Sequence, residues 1–117
     1  MSNDESDLEE LVTQYVAAAT AHGRGTESGD YKLTNASVPK VVAAHARLLH
    51  LGNEGENALR GLLDHTERGV RLWAAWHALE VEPERAERVL GDLALLKGSL
   101  VGFSAQMALR RRRNGGG

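Results

Sequence analysis

The chain has 117 residues, 42% of them apolar, with no cysteine and a formal net charge of −2. That length makes one domain, the lack of cysteine excludes a disulfide framework, a thiolate zinc site and thiol catalysis, and the near-neutral charge excludes a uniformly basic, phosphate-seeking body. Leucine (17), alanine (16) and valine (9) supply most of the apolar content and isoleucine is missing, which favours helices over strands.

Residues 1–6 are expected to be a flexible end. Ser6 and Glu9 have the spacing of a capping box, and Leu8, Leu11, Val12, Tyr15, Val16 and Ala19 follow at helical intervals, predicting a helix over 7–21. Residues 22–34 hold Gly23, Gly25 and Gly29 among polar residues and read as a loop. A second helix starts near Ser37, because Pro39 is best tolerated in a first turn. It carries Val38, Val41, Val42, His45, Leu48 and Leu49 inward and stops at Gly52. Glu54 to Asp64 form a third helix with Ala58, Leu59, Leu62 and Leu63 inward. A turn at His65-Thr66 leads to a fourth over 67–80, with Val70, Trp73, Ala74, His77 and Ala78 inward. Pro83 opens a fifth, which buries Ala86, Val89, Leu90, Leu93 and Ala94 and ends at Gly98. Ser99 caps a sixth, with Leu100, Phe103, Met107 and Ala108 inward. Residues 114–117 are expected to be a flexible tail.

No apolar run approaches the roughly 20 residues of a membrane span, and the acidic N-terminus has no signal-peptide pattern. The chain is therefore expected to be cytoplasmic. Five acids stand within the first ten residues and four arginines at Arg110–Arg113. Each block complements the dipole of the helix end it occupies. The alternative use of the arginines is an arm for nucleic acid or an acidic protein, and four alone give only weak, salt-sensitive nucleic-acid binding.

The segment 59–79 repeats after 30 residues: Leu59 falls on Val89, Gly61 on Gly91, Leu63 on Leu93, Val70 on Leu100, Trp73 on Phe103, Ala75 on Ala105, Ala78 on Ala108 and Leu79 on Leu109. One unit is a helical hairpin. The first two helices form a degenerate unit, with Ala44 and Leu49 matching Ala74 and Leu79. The expected fold is all-α, a short right-handed stack of three helical hairpins with about six helices, in a single domain over 1–117.

Leu62-Leu63-Asp64, a turn, then Val70-Arg71 and Ala74-Ala75 resemble a HEAT or armadillo-type unit, in which the turn acid and the arginine of the second helix tie adjacent layers. The stretch 59–112 resembles, more closely, a small bacterial helical family known only as a domain of unknown function. The residues that carry this are Val70-Arg71-Leu72, the run Val81 to Ala86, and the run Gly102 to Arg110. The resemblance implies a HEAT-like fold with no catalytic residues, and some members stand beside polymorphic toxins as candidate immunity proteins.

Catalytic constellations do not form in the sequence. None of His22, His45, His50, His65 and His77 stand at i, i+4, so a helical metal site is not expected. Gly102-Phe103-Ser104-Ala105-Gln106 lacks the second glycine and the preceding strand of a nucleophile elbow. Gly23-Arg24-Gly25 follows a helix and cannot serve as a phosphate cradle. No cofactor is expected, and no enzyme. Trp73 falls on Phe103 and is read as core, whereas Trp76 falls on Gln106 and should reach the surface. Arg71, Trp76, Glu80, Gln106 and Arg110 are therefore expected to form a mixed-sign, aromatic-centred partner face. The leading expectation is a non-enzymatic protein-binding module, in its most concrete form an immunity protein against a bacterial toxin. The alternative is a nucleic-acid-associated repeat protein that uses the C-terminal arginines.

Overall fold

The computed structural model describes residues 4–115. Six α-helices form an all-α fold: α1 (Asp4–Ser28), α2 (Tyr31–His50), α3 (Asn53–Gly61), α4 (Arg68–Ala78), α5 (Pro83–Ala94) and α6 (Leu100–Gly115), with one 3-10 turn at Leu62–Asp64. The helices follow one another as three hairpins. Helix α1 lies along α2 and crosses α4, α4 packs on α5, and α5 packs on α6. Among the described residues no helix is long and apolar enough to cross a membrane.

The expected loop at 22–34 does not exist. Helix α1 continues through Gly23 and Gly25 to Ser28, the reversal is confined to Gly29-Asp30, and α2 begins at Tyr31. Tertiary packing overrides glycine's low helix propensity here. A Cβ on Gly23 would stand 2.7 Å from Gly69 Cα, and one on Gly69 would collide with the Ala19 carbonyl oxygen. The two glycines thus let α1 and α4 cross with their backbones nearly in contact. Gly29 takes φ +76°, a left-handed conformation open to glycine at little cost. Asp30 then caps α2, its Oδ1 accepting from the Leu33 amide at 3.1 Å. Pro39 therefore lies well inside α2 and not in its first turn.

Both ends are also more helical than expected. Helix α1 begins at Asp4, which places Ser6 inside its first turn and not at the cap, and α6 runs to Gly115. The rest of the two expected flexible ends, residues 1–3 and 116–117, lies outside the described residues.

Leu11, Tyr15, Val41, Leu48, Leu59, Leu63, Val70, Leu90, Leu93 and Val101 fill the core, with alanines 44, 74, 75, 78, 86 and 105 between them. The repeat is visible in this burial, with a register the sequence did not reveal. On the first helices, buried Gly55, Leu59 and Leu62 correspond to Ala86, Leu90 and Leu93, a shift of 31 residues. On the second helices, buried Leu72, Ala75 and Ala78 correspond to Gly102, Ala105 and Ala108, a shift of 30. The connecting turns absorb the difference.

Two faces expected inward point out. On α2 only Ser37, Val41, Ala44 and Leu48 are buried, leaving Val42 and Leu49 exposed. On α6 the buried strip is Val101, Gly102, Ala105 and Ala108, while Leu100, Phe103 and Met107 face outward. Among the described residues α6 packs inward through its small-residue strip; a Cβ on Gly102 would stand 2.7 Å from the Leu93 carbonyl oxygen.

One carboxylate fixes the start of α6. Glu27 Oε1 accepts from the amides of Leu100 (2.5 Å) and Val101 (3.3 Å), while Oε2 accepts from Ser99 Oγ (2.6 Å) and Arg68 Nη1 (3.4 Å). Burial pushes the Glu27 pKa up, but these donors outweigh it and leave the carboxyl below its ordinary value. Ser99 Oγ also accepts from the Gly102 amide at 2.9 Å, the N-cap read from the sequence. Asp64 does tie adjacent hairpins, through Arg85 Nη2 at 2.6 Å and not through Arg71.

Candidate functional site

The outward strip of α6 faces α4 across an open groove of about 610 Å³. Trp73 and Trp76 of α4 form one wall, Phe103 and Met107 of α6 the other, and His22 of α1 contributes at the base. Trp76 is 37% exposed, Phe103 55% and Met107 45%. Large apolar side chains gathered at this exposure on one surface make the groove the candidate site. Arg110 and Arg111 line the groove at the C-terminal end of α6, and its lining includes no carboxylate.

A second, wider depression lies on the other side of Trp76. Its lining includes His45, His77, Glu80, Glu87 and Arg111–Arg113. Arg112 Nε is paired with Glu87 Oε2 at 3.3 Å. Trp76 and Arg111 are common to both depressions and separate an apolar surface from a mixed-charge one.

The five residues expected to form the partner face are only partly brought together. Trp76 and Arg110 line the same groove, and Glu80 adjoins Trp76 in the second depression. Arg71 stands about 140° around α4 from Trp76 at the usual helical pitch. It lines a separate hollow with Asp64, His65 and Asp92, and its Nε is buried without a partner among the described residues. Gln106 turns toward α5, where its Nε2 donates to the Ala94 carbonyl at 3.0 Å and satisfies a carbonyl of that helix's last turn.

Sequence reading missed Phe103, Met107, Arg111 and His22. The signal for the first two was present. Helix α6 carries a small-residue strip and a large-residue strip on opposite sides, and only the small one is buried. His22 falls in the stretch 22–34, whose glycines predict a loop. Trp73 is not fully buried core either: it packs against the core with one side and lines the groove with the other. Trp73 Nε1 and His22 Nδ1 are both buried without a hydrogen-bond partner among the described residues, and the two rings meet edge to face at 5.1 Å.

Behind the tryptophans the fold brings together residues that lie far apart in sequence. The Tyr15 hydroxyl lies 2.7 Å from His77 Nδ1, and the His45 and His77 rings stack in parallel at 3.6 Å. Burial, reinforced by the facing His45, lowers the His77 pKa to about 3. Burial lowers those of His45 and His22 and raises that of Tyr15. All four groups are therefore held neutral, and the cluster works as a polar support for α4. Stacked rings do not point their nitrogens at a common centre, and among the described residues no three metal-ligating side chains converge.

Comparison of the chain with protein-family models, with curated proteins and with solved structures finds no match in any of the three. The functional reading therefore rests on the chemistry of the groove itself.

Proposed function

We propose that this chain is a non-enzymatic protein-binding module that docks its partner on the groove between α4 and α6. The observation that carries this reading is the exposed surface of Trp76, Phe103 and Met107 along the groove between α4 and α6. Large aromatic and methionine side chains on a rigid helical face are the composition of an interface core, and arginines at its edge suit the rim. The immunity role implied by the family resemblance is the most concrete form of this reading, with a bacterial toxin as partner and the cytoplasm as setting.

Nucleic acid fits less well. Only two arginines line the apolar groove, and Glu80 and Glu87 line the depression that holds the others, where they repel a polyanion.

The test is a calorimetric titration of the chain against the protein encoded beside it, with wild type and Trp76→Ala. The expected result is a saturable complex that Trp76→Ala weakens by about 2 kcal/mol or more, as for an interface hot spot, while the melting midpoint is preserved. Unchanged affinity in a folded Trp76→Ala variant removes the groove from the interface. Steep, salt-dependent binding to duplex DNA that disappears in an Arg111/Arg112/Arg113→Gln triple variant would establish the nucleic-acid reading instead.

A further inference from the structure

We infer that the occupant of the α4–α6 groove is an acidic amphipathic helix supplied by a protein partner; this rests on the protein-binding reading above and adds the chemistry of what binds.

Shape gives the first half of the inference. Phe103, Met107, Arg110 and Asn114 line the groove from one strip of α6, spaced by three or four residues and rising about 17 Å at 1.5 Å per residue. A straight ladder of this kind beside a second helical wall is the geometry that receives an amphipathic helix through its i, i+3, i+4 and i+7 anchors. The length corresponds to about three turns of such a helix. Neither an extended strand nor a loop is favoured, because α6 offers no free backbone edge for pairing.

Charge gives the second half. The apolar floor has no acid in its lining and ends at Arg110 and Arg111. Among the described residues Arg112 is paired, with Glu87, whereas Arg110, Arg111 and Arg113 form no ion pair. Unpaired guanidinium forks at the end of an apolar track select carboxylates on the incoming helix.

Neither of the two longest helices of a second copy offers a matching element. Helix α1 is acidic near its start, but Leu8, Leu11, Val12 and Tyr15 are already committed to the core. Helix α2 exposes Tyr31, Val42 and Leu49, yet it also exposes Lys32, Lys40 and Arg47, which repel the arginines of the groove.

The test uses two synthetic 16-residue peptides with an identical leucine face, one with glutamates and one with lysines on its polar face. The chain's two tryptophans both line the groove, so intrinsic fluorescence reports occupancy directly. The acidic peptide is expected to shift the emission saturably and to bind at least about tenfold tighter than the basic one, given the cost of juxtaposed like charges. Phe103→Glu should weaken the acidic peptide by more than about tenfold, as expected for a charge placed in an interface core. Arg110→Gln/Arg111→Gln should erase the preference between the peptides while the chain stays folded by circular dichroism. Because both arginines are exposed, this double variant keeps the test decisive should Phe103→Glu fail to fold.

Equal affinity for the two peptides, or preference for the basic one, overturns the inference. A dimer in sedimentation that Phe103→Glu dissociates also overturns it and makes a second copy the occupant. If neither peptide binds while the protein encoded beside this chain binds in a Trp76-dependent way, the acidic-helix inference fails and the protein-binding reading stands. If nothing binds, both fall.

Discussion

Glu27 and His77 each join elements that are distant in sequence, and each responds to pH in its own window. Glu27 replaces the unpaired amides at the start of α6 with charge-assisted hydrogen bonds. Glu27→Gln keeps the shape and removes the charge, and it is expected to cost about 1–2 kcal/mol in urea unfolding, the scale of a lost helix cap. Because the folded carboxyl titrates below its ordinary value of 4.5, its contribution is complete above that pH and is lost as pH falls through the folded value. His77 acts earlier. Its folded pKa of about 3 lies below the ordinary 6.5, so the unfolded chain takes up this proton first. The stability it supports is complete above pH 6.5 and declines on acidification toward pH 3, by at most about 1.4 kcal/mol per pH unit. Unfolding free energies measured between pH 7.5 and 5 should fall for the wild type and be flatter for His77→Gln. Parallel profiles would show that the Tyr15–His77 pair does not stay neutral on folding.

At the scale of elements, glycine and alanine determine how closely the helices approach. Gly69→Ala places a Cβ against the backbone of Ala19 and Gly23 and should cost about 1–3 kcal/mol, as overpacking does. Gly91→Ala, which meets nothing within 4 Å on α5, should instead stabilise by about 0.5–1 kcal/mol. The melting midpoints of the two variants should therefore move in opposite directions, and a shared direction would contradict the crossing described for α1 and α4. Ala75 and Ala105 are both fully buried, and Ala75→Leu should lower the midpoint by a comparable overpacking penalty. The helices after Asn53 were legible because their signals are local: Pro83 at the start of α5, Ser99 at the cap of α6, and apolar residues at helical spacing. The turn between α1 and α2 was not legible. Gly23 and Gly25 look like loop residues until Gly69, 46 positions away in the chain, is brought against the first of them. Burial on α2 and α6 departs from the periodicity for a related reason. Periodicity marks two apolar strips on α6, and only the order of packing decides which one meets α5.

Across the whole molecule, the large-residue strip of α6 stays exposed beside α4 among the described residues, while its small-residue strip packs inward. Of the residues expected at the partner face, Trp76, Glu80 and Arg110 are placed near one another, whereas Arg71 and Gln106 are drawn away by contacts no local pattern encodes. The exposure of Trp76 was legible because it departs from its polar repeat-mate; that of Phe103 was not, because its repeat-mate Trp73 packs against the core. Docking on the groove between Trp76 and Phe103 is tested by titrating the isotopically labelled chain with the protein encoded beside it and following the indole resonances of Trp73 and Trp76. Both indole signals are expected to shift in step with complex formation, together with the amides of Phe103 and Met107. Shifts confined to the exposed strip of Tyr31, Val42 and Leu49 on α2, with both indoles unmoved, would contradict docking on the groove.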